Sequence, residues 1–264
     1  MAFDAPDWKD ATLAALAAWR DDAAAAACFL TRLPLAGFAS AETGLPARSM
    51  RAFPVVGILV GLVGWAAFAI AAGLGLPATI AALLAVAATV LVTGALHEDG
   101  LADTADGLGG GADRARKLAI MRDSRTGAYG VLALVLSVAL RAAALSVLTT
   151  PRVGAALVAA HVVSRAALPV VMRGLAPARD DGLGASAGQP DDSAVGWCLA
   201  IGIVAALLCL GFVPGLVGFV IAAIAIAAFA ALARRQIGGY TGDVLGAAQQ
   251  IGEIVMLLTA AAAA

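Results

Sequence analysis

The stretch FPVVGILVGLVGWAAFAIAAGLGLPATIAALLAVAATVLVTGALHEDG, residues 53–100, decides the fold. Residues 53–96 carry no charged side chain, and the turn GLGLP divides them into two apolar runs. A helix rises about 1.5 Å per residue and the hydrocarbon of a bilayer is about 30 Å thick, so roughly 20 such residues cross it. Both runs have that length. The rest of the chain repeats the pattern, and spans are expected near 53–74, 78–97, 129–149, 152–172, 194–212, 214–233 and 241–262. The 264 residues are 62% hydrophobic and 13% charged, against about a quarter charged in soluble domains. The expected fold is all-α: a polytopic integral membrane bundle of about seven transmembrane helices, forming one membrane-embedded domain over 1–264.

Ahead of the first span, residues 5–30 read as an amphipathic helix with Trp8, Thr12, Ala15, Leu16 and Trp19 at helical spacing. It either lies on the membrane or packs on the protein's own face. Gly57, Gly61 and Gly64 form a small-residue stripe that lets two helices approach closely. The net charge of −1 argues against nucleic acid as a partner. Cys28, Cys198 and Cys209 lack metal-ligand or redox spacing and read as reduced core residues. No cleavable signal is visible at the N-terminus.

Lysine and arginine set the orientation. Lys9, Arg20, Arg32, Arg48 and Arg51 precede the first span, and Arg114, Arg116, Lys117, Arg122 and Arg125 lie in the 98–128 loop. Arg173, Arg179, Arg234 and Arg235 fall on the same side if seven spans start from an inside N-terminus. Positive residues mark the cytoplasmic side, so the 98–128 loop is expected to face the cytoplasm.

That loop opens with ALHEDGLADTADGLGGG, residues 95–111. Like charges this dense need a cation among them. If 99–106 is helical, Asp99, Asp103 and Asp106 stand at i, i+4 and i+7, within an arc of roughly 60°. Glu98 lies at its edge. An all-oxygen set suits Mg²⁺, which keeps water and is completed by substrate phosphates. The following RARKLAIMRDSRTGAYG, residues 114–130, supplies cations able to neutralise phosphate oxygens. The pattern reads as phosphoryl or nucleotidyl transfer on a membrane-associated substrate, with 98–128 as the catalytic loop.

At these residues the chain resembles the cobalamin synthase family, the adenosylcobinamide-GDP ribazoletransferases. The family pattern is matched from His97 through Asp99, Gly100, Asp103 and Asp106 to Leu108. Further matching blocks are FLTRLPL (29–35), FPVVGILVG (53–61), IMRDSRTGAYG (120–130), SRAALP (164–169), ARDDGLGAS (178–186) and GGYTGDVLGAAQQIGE (238–253). Members often carry leucine where this chain has Glu98, and many carry glutamate at the place of Gln250. The resemblance implies a Mg²⁺-dependent membrane enzyme with adenosylcobinamide-GDP and α-ribazole, or its 5′-phosphate, as substrates. The ribose 3′-hydroxyl would attack the phosphorus bearing the cobinamide arm and GMP would leave, yielding adenosylcobalamin or its 5′-phosphate.

On this basis Asp99, Asp103 and Asp106, with Glu98 beside them, are the expected metal ligands, and one of the aspartates or His97 takes the proton. Arg122, Arg125 and Lys117 are expected phosphate contacts, and Asp123 orients an arginine or serves a second ion. Arg179 in the 179–186 loop and Thr241 and Asp243 in the glycine-rich 238–246 block are expected to meet nucleotide or α-ribazole phosphate. Arg165 either reaches substrate or leaves Glu253 to pair with an arginine inside the bundle. Membrane lipid, other late-pathway enzymes and a second copy of the chain are the other partners considered. Two further readings stand beside this one. A CDP-alcohol phosphatidyltransferase shares clustered aspartates, but its spacing is broken by Leu108-Gly109-Gly110-Gly111. A membrane transporter would place function in Arg141, Arg165 and Glu253 and make the loop expendable.

Overall fold

The computed structural model describes residues 8–34, 47–182 and 187–264. Residues 5–7 of the expected N-terminal helix and 183–186 of the 179–186 loop lie outside them. The described residues form ten α-helices: α1 (Trp8–Leu30), α2 (Phe53–Gly73), α3 (Ala78–Thr93), α4 (Leu96–Gly110), α5 (Arg114–Ile120), α6 (Ala128–Ser146), α7 (Thr150–Gly174), α8 (Asp192–Leu210), α9 (Phe212–Ile237) and α10 (Gly242–Ala262). A 3-10 turn, Ala47–Ala52, leads into α2. Six helices are long and apolar enough to cross a membrane, and the bent pair α3–α4 makes a seventh if it counts as one span.

The expected span 78–97 ends early. Gly94 (φ 64°) and Ala95 (φ 58°) both adopt left-handed backbone, which breaks the helix after Thr93. Glycine enters this region freely, and alanine there is held by its surroundings. The chain bends by 92°, so α4 leaves the direction of α3 and carries the acidic cluster from Glu98, beside Arg141 inside the bundle, out to Asp106 at the start of α6. The stretch 98–128 is therefore chiefly two helices, α4 and α5.

The spans alternate in direction, which gathers the starts of α2, α6, α8 and α10 and the ends of α3, α7 and α9 at one end of the bundle. Helix α7 is the central span, buried over most of its length. It meets α2 at the glycine stripe, where a Cβ on Gly61 would lie 2.8 Å from the Val158 backbone and one on Gly57 would enter the His161–Val162 backbone. The stripe serves packing, as its spacing predicts.

Helix α1 docks on the same end. Buried Asp22 accepts from Ser49 Oγ (2.8 Å), Arg51 Nε (2.7 Å) and Arg48 Nε (3.2 Å). Trp19 meets Trp197 edge-to-face at 5.4 Å, and Arg51 lies over the Trp19 ring. The C-terminal half of α1 thus packs on the protein, while Leu13 and Leu16 in its other half stay exposed.

Below α4 sits a buried polar network drawn from four helices. Arg141 Nη1 donates to Glu98 Oε1 (3.0 Å) and Glu253 Oε1 (3.1 Å). Gln250 Nε2 donates to Glu98 Oε1 (3.2 Å), and Gln249 Nε2 to Glu253 Oε2 (2.8 Å) and Ser164 Oγ (2.9 Å). Nδ1 of His161 stands 2.9 Å from Arg165 Nη1 and 3.3 Å from Glu253 Oε2. Two arginines face two glutamates, so the set is charge-balanced, as burial in low dielectric requires. It ties α4 to α6, α7 and α10.

Candidate active site

Helix α4 crosses α10 where both carry glycine. A Cβ on Gly100 would lie 2.8 Å from the Asp243 carbonyl oxygen and 3.2 Å from Gly246 Cα, and one on Gly246 would lie 3.1 Å from the His97 carbonyl oxygen. The missing side chains bring Asp99 and Asp103 on α4 beside Asp243 in the first turn of α10. Thr241 caps that turn, its Oγ1 accepting from Val244 N–H (3.2 Å) and donating to Asp243 Oδ2 (3.2 Å). Arg179 reaches in from the segment after α7, with Nη2 3.3 Å from Asp243 Oδ2. An isolated bridge between Pro177 and Tyr240, with Ala178 N–H donating to Tyr240 O (2.7 Å), fixes that segment. Arg114 clamps it further through Ala178 O (2.7 Å) and Ile237 O (2.8 Å).

The three carboxylates carry more charge than Arg179 offsets. Burial, then the negative charges of Asp99, Asp243 and Asp106, push the Asp103 carboxyl up to about 7, while Arg179 pulls the other way. An added cation would relieve this crowding. Among the described residues no three His, Cys, Asp or Glu side chains stand close enough to grip one ion by themselves. Mg²⁺ does not need such a cage: one or two carboxylates suffice when water and substrate phosphates complete its shell. Asp99 and Asp243 face one cleft and supply those two oxygen donors, so the residues present fit Mg²⁺ in that mode.

Two expected ligands have other work. Asp106 Oδ2 accepts from Gly127 N–H (2.6 Å) and Oδ1 from Gly130 N–H (2.9 Å). It caps the N-terminus of α6, where free N–H groups and the helix dipole favour a carboxylate. Glu98 lies about 100° around α4 from Asp99 and points into the buried network, so the expectation of a Glu98 metal ligand is corrected to a structural ion pair with Arg141.

The basic candidates separate in the same way. Lys117 Nζ donates to the Leu108 and Gly111 carbonyls at the end of α4, which removes it from phosphate duty. Arg165 is buried in the bundle against His161, away from the cleft, and Glu253 pairs with Arg141, the plain alternative read from sequence. Arg125 forms an exposed pair with Asp123 (2.6 Å), whose carboxyl is held down at about 2 by the Arg125 side-chain and backbone hydrogen bonds. Arg122 forms a two-oxygen pair with Asp181 (2.5 and 2.7 Å), joining the loop after α5 to the segment after α7. Arg179 keeps a buried Nη1 without a hydrogen-bond partner among the described residues.

Beside the carboxylates lies a recess of about 180 Å³. Asp99, Asp243 and Arg179 stand on its polar side, and His97 borders it, its Nε2 buried without a hydrogen-bond partner among the described residues. Its remaining wall is apolar, made by Phe29, Met50, Phe53, Leu168, Met172 and Leu245. Sequence reasoning did not single these residues out, although Phe29, Phe53, Leu168 and Leu245 lie within the matching blocks quoted above. They come from five separate elements, and apolar side chains build a pocket as readily as a core.

The family model described as cobalamin-5-phosphate synthase matches residues 22–261. A protein of Bradyrhizobium diazoefficiens named adenosylcobinamide-GDP ribazoletransferase is 54% identical over 238 residues, covering 90% of this chain and 92% of its own. Relatives of the same name from Mesorhizobium japonicum and Rhizobium johnstonii are 49% and 47% identical, each covering 92% of this chain, with 93% and 96% of their own lengths aligned. No solved structure matches the chain.

Proposed function

The chain belongs to the cobalamin-5-phosphate synthase family, and from that premise we propose that it transfers the cobinamide-phosphoryl group of adenosylcobinamide-GDP to α-ribazole or its 5′-phosphate. The observation that carries the site assignment is the meeting of Asp99, Asp103 and Asp243 beside Arg179 at the α4–α10 crossing. The ribazole 3′-hydroxyl oxygen forms a bond to the phosphorus bearing the cobinamide arm. The bond from that phosphorus to the bridging oxygen breaks, and GMP leaves with the electron pair. Asp103, whose carboxyl stands at about 7, takes the hydroxyl proton; a base works best when its pKa lies near the working pH. Arg179 donates to a diphosphate oxygen and holds the reacting phosphate against Asp103. Arg122 and Arg125, on the same end of the bundle, meet the outer nucleotide phosphate once it displaces Asp181 and Asp123 from them.

Asp99 and Asp243 would hold Mg²⁺, which when bound neutralises the diphosphate and favours departure of GMP. Six or seven spans make this a multi-pass membrane protein. The lysine and arginine distribution supports placing it in the bacterial cytoplasmic membrane with α4 on the cytoplasmic side, where Mg²⁺ and nucleotides are supplied. The test is purified protein in lipid with adenosylcobinamide-GDP, α-ribazole and Mg²⁺, followed by GMP release. Release that needs all three components is expected. No release with either acceptor, with or without lipid, refutes the assignment.

A further inference from the structure

The recess beside Asp99, about 180 Å³, is large enough for one ring system and too small for a corrin, so of the groups the reaction brings together it can take only a base: guanine, the adenine of the adenosyl group, or the ribazole base. We infer that it binds the base of α-ribazole, and that the guanine nucleotide stays outside on the arginine-bearing loops. This assignment rests on the transfer reaction proposed above and adds the place of the acceptor.

The wall chemistry makes the choice. Phe29, Met50, Phe53, Leu168, Met172 and Leu245 offer neither donors nor acceptors from their side chains, and all but Phe29 and Leu245 are at most 4% exposed. Guanine presents three donors and acceptors along one edge and adenine two, and burying them without partners is unfavourable. A dimethylbenzimidazole presents a flat apolar bicycle, two methyl groups and one ring nitrogen able to accept a hydrogen bond. The base therefore buries one polar atom where guanine would bury three; His97, whose Nε2 is buried without a hydrogen-bond partner among the described residues, borders the same recess. Phe29 and Phe53, both lining the recess, stack nearly parallel at 6.1 Å, an aromatic pair beside which a further aromatic plane packs favourably. With the base inside, its ribose projects to the open, polar side, where Asp99, Asp243 and Arg179 stand. That is the orientation a 3′-hydroxyl attack requires, whereas guanine in the recess would carry the ribazole hydroxyl away from these carboxylates.

The inference makes Met172, Leu168 and Leu245 specificity residues for the acceptor. Met172→Phe and Leu245→Phe reduce the space, and a missing or surplus methylene in a fitted apolar pocket changes discrimination by about 10-fold or more. Both variants, assayed for GMP release in nanodiscs, should raise KM for α-ribazole about tenfold while KM for adenosylcobinamide-GDP stays within about twofold. Phe53→Leu enlarges the recess and should relax selection against ribosides of bulkier bases, an independent check should the filling variants fold poorly. A second readout avoids turnover: the intrinsic fluorescence of α-ribazole titrated with wild-type protein should show saturable binding that GMP does not displace. Filling variants that raise KM for adenosylcobinamide-GDP and leave α-ribazole untouched, or displacement of bound α-ribazole by GMP, would overturn the assignment. Absence of GMP release from the wild type with fluorescent binding retained would instead count against the transfer reaction and leave the recess assigned.

Discussion

Gly100→Ala tests whether the helix crossing sets the spacing of the carboxylates. The new Cβ would lie 2.8 Å from the Asp243 carbonyl oxygen and 3.0 Å from Asp243 Cα, where ordinary contact begins at 3.4 Å. The opposing atoms are backbone, so no rotamer change relieves them, and α4 must part from α10 by about 0.5 Å. Overpacking of this kind costs about 1–3 kcal/mol. The larger effect falls on catalysis, because Asp99 and Asp103 move with α4 while Asp243 and Arg179 stay with α10. A misplacement of about 1 Å can cost on the order of a hundredfold, so half of that should lower kcat on the order of tenfold. The control is Gly73→Ala, whose Cβ would meet nothing within 4 Å and which should leave both properties unchanged. GMP release at saturating substrate, with thermal unfolding measured on the same nanodisc samples, reads both effects. A Gly100→Ala protein with wild-type kcat would show that the crossing does not position the site.

With Asp103 raised to about 7, the carboxyl is protonated below that pH and cannot accept the hydroxyl proton, so kcat/KM should fall about tenfold per unit below an acid limb near or below pH 7. Bound Mg²⁺ would shift the limb downward without reversing its sign, and a kcat/KM that rises as the pH falls from 8 to 5 would remove Asp103 from this role. Asp103→Asn should abolish turnover while the protein stays in the membrane and retains its unfolding temperature. Asp106→Ala should instead act on stability, since it strips two N–H groups of their acceptor and removes the α6 cap; a loss of about 1–3 kcal/mol is expected in denaturant unfolding. Arg141→Leu leaves Glu98 and Glu253 without their shared partner and should cost about 3–5 kcal/mol, with a milder loss when Glu98 and Glu253 are made Gln together with it. Equal stability of the single and triple variants would contradict the charge balance assigned to the network.

Much of the fold is legible in the apolar runs, because a membrane span declares itself by length and by what it lacks. The end of α3 is not, because Gly94 looks like any of the glycines that membrane helices tolerate and only the conformation of Gly94 and Ala95 reveals a turn. The face bearing Asp99 and Asp103 follows from spacing along one helix. Asp106 shares that spacing, yet its partners are N–H groups at Gly127 and Gly130, more than twenty positions along the chain, and no local pattern carries that information. Glu98 lies off the face by helix geometry, which sets it apart from the ligands; that its partner is Arg141 depends on how α4 rolls against α6. Asp243 and Arg179 stand in family blocks, as do Phe29, Phe53, Leu168 and Leu245; that these apolar residues share one recess depends on how α1, the 3-10 turn, α2, α7 and α10 pack.

The buried ion network also constrains the order in which the protein can be built. Arg141 is threaded into the bilayer with α6, over a hundred residues before α10 arrives with Glu253, and a lone arginine at membrane depth costs at least about 2.5–3.5 kcal/mol. Glu98, already made, is the sole carboxylate of this network that can shield Arg141 in the interval. A nascent chain halted before α10 therefore holds half the neutralising charge of the finished network. Arrival of α10 with Glu253 is what closes the network around Arg141.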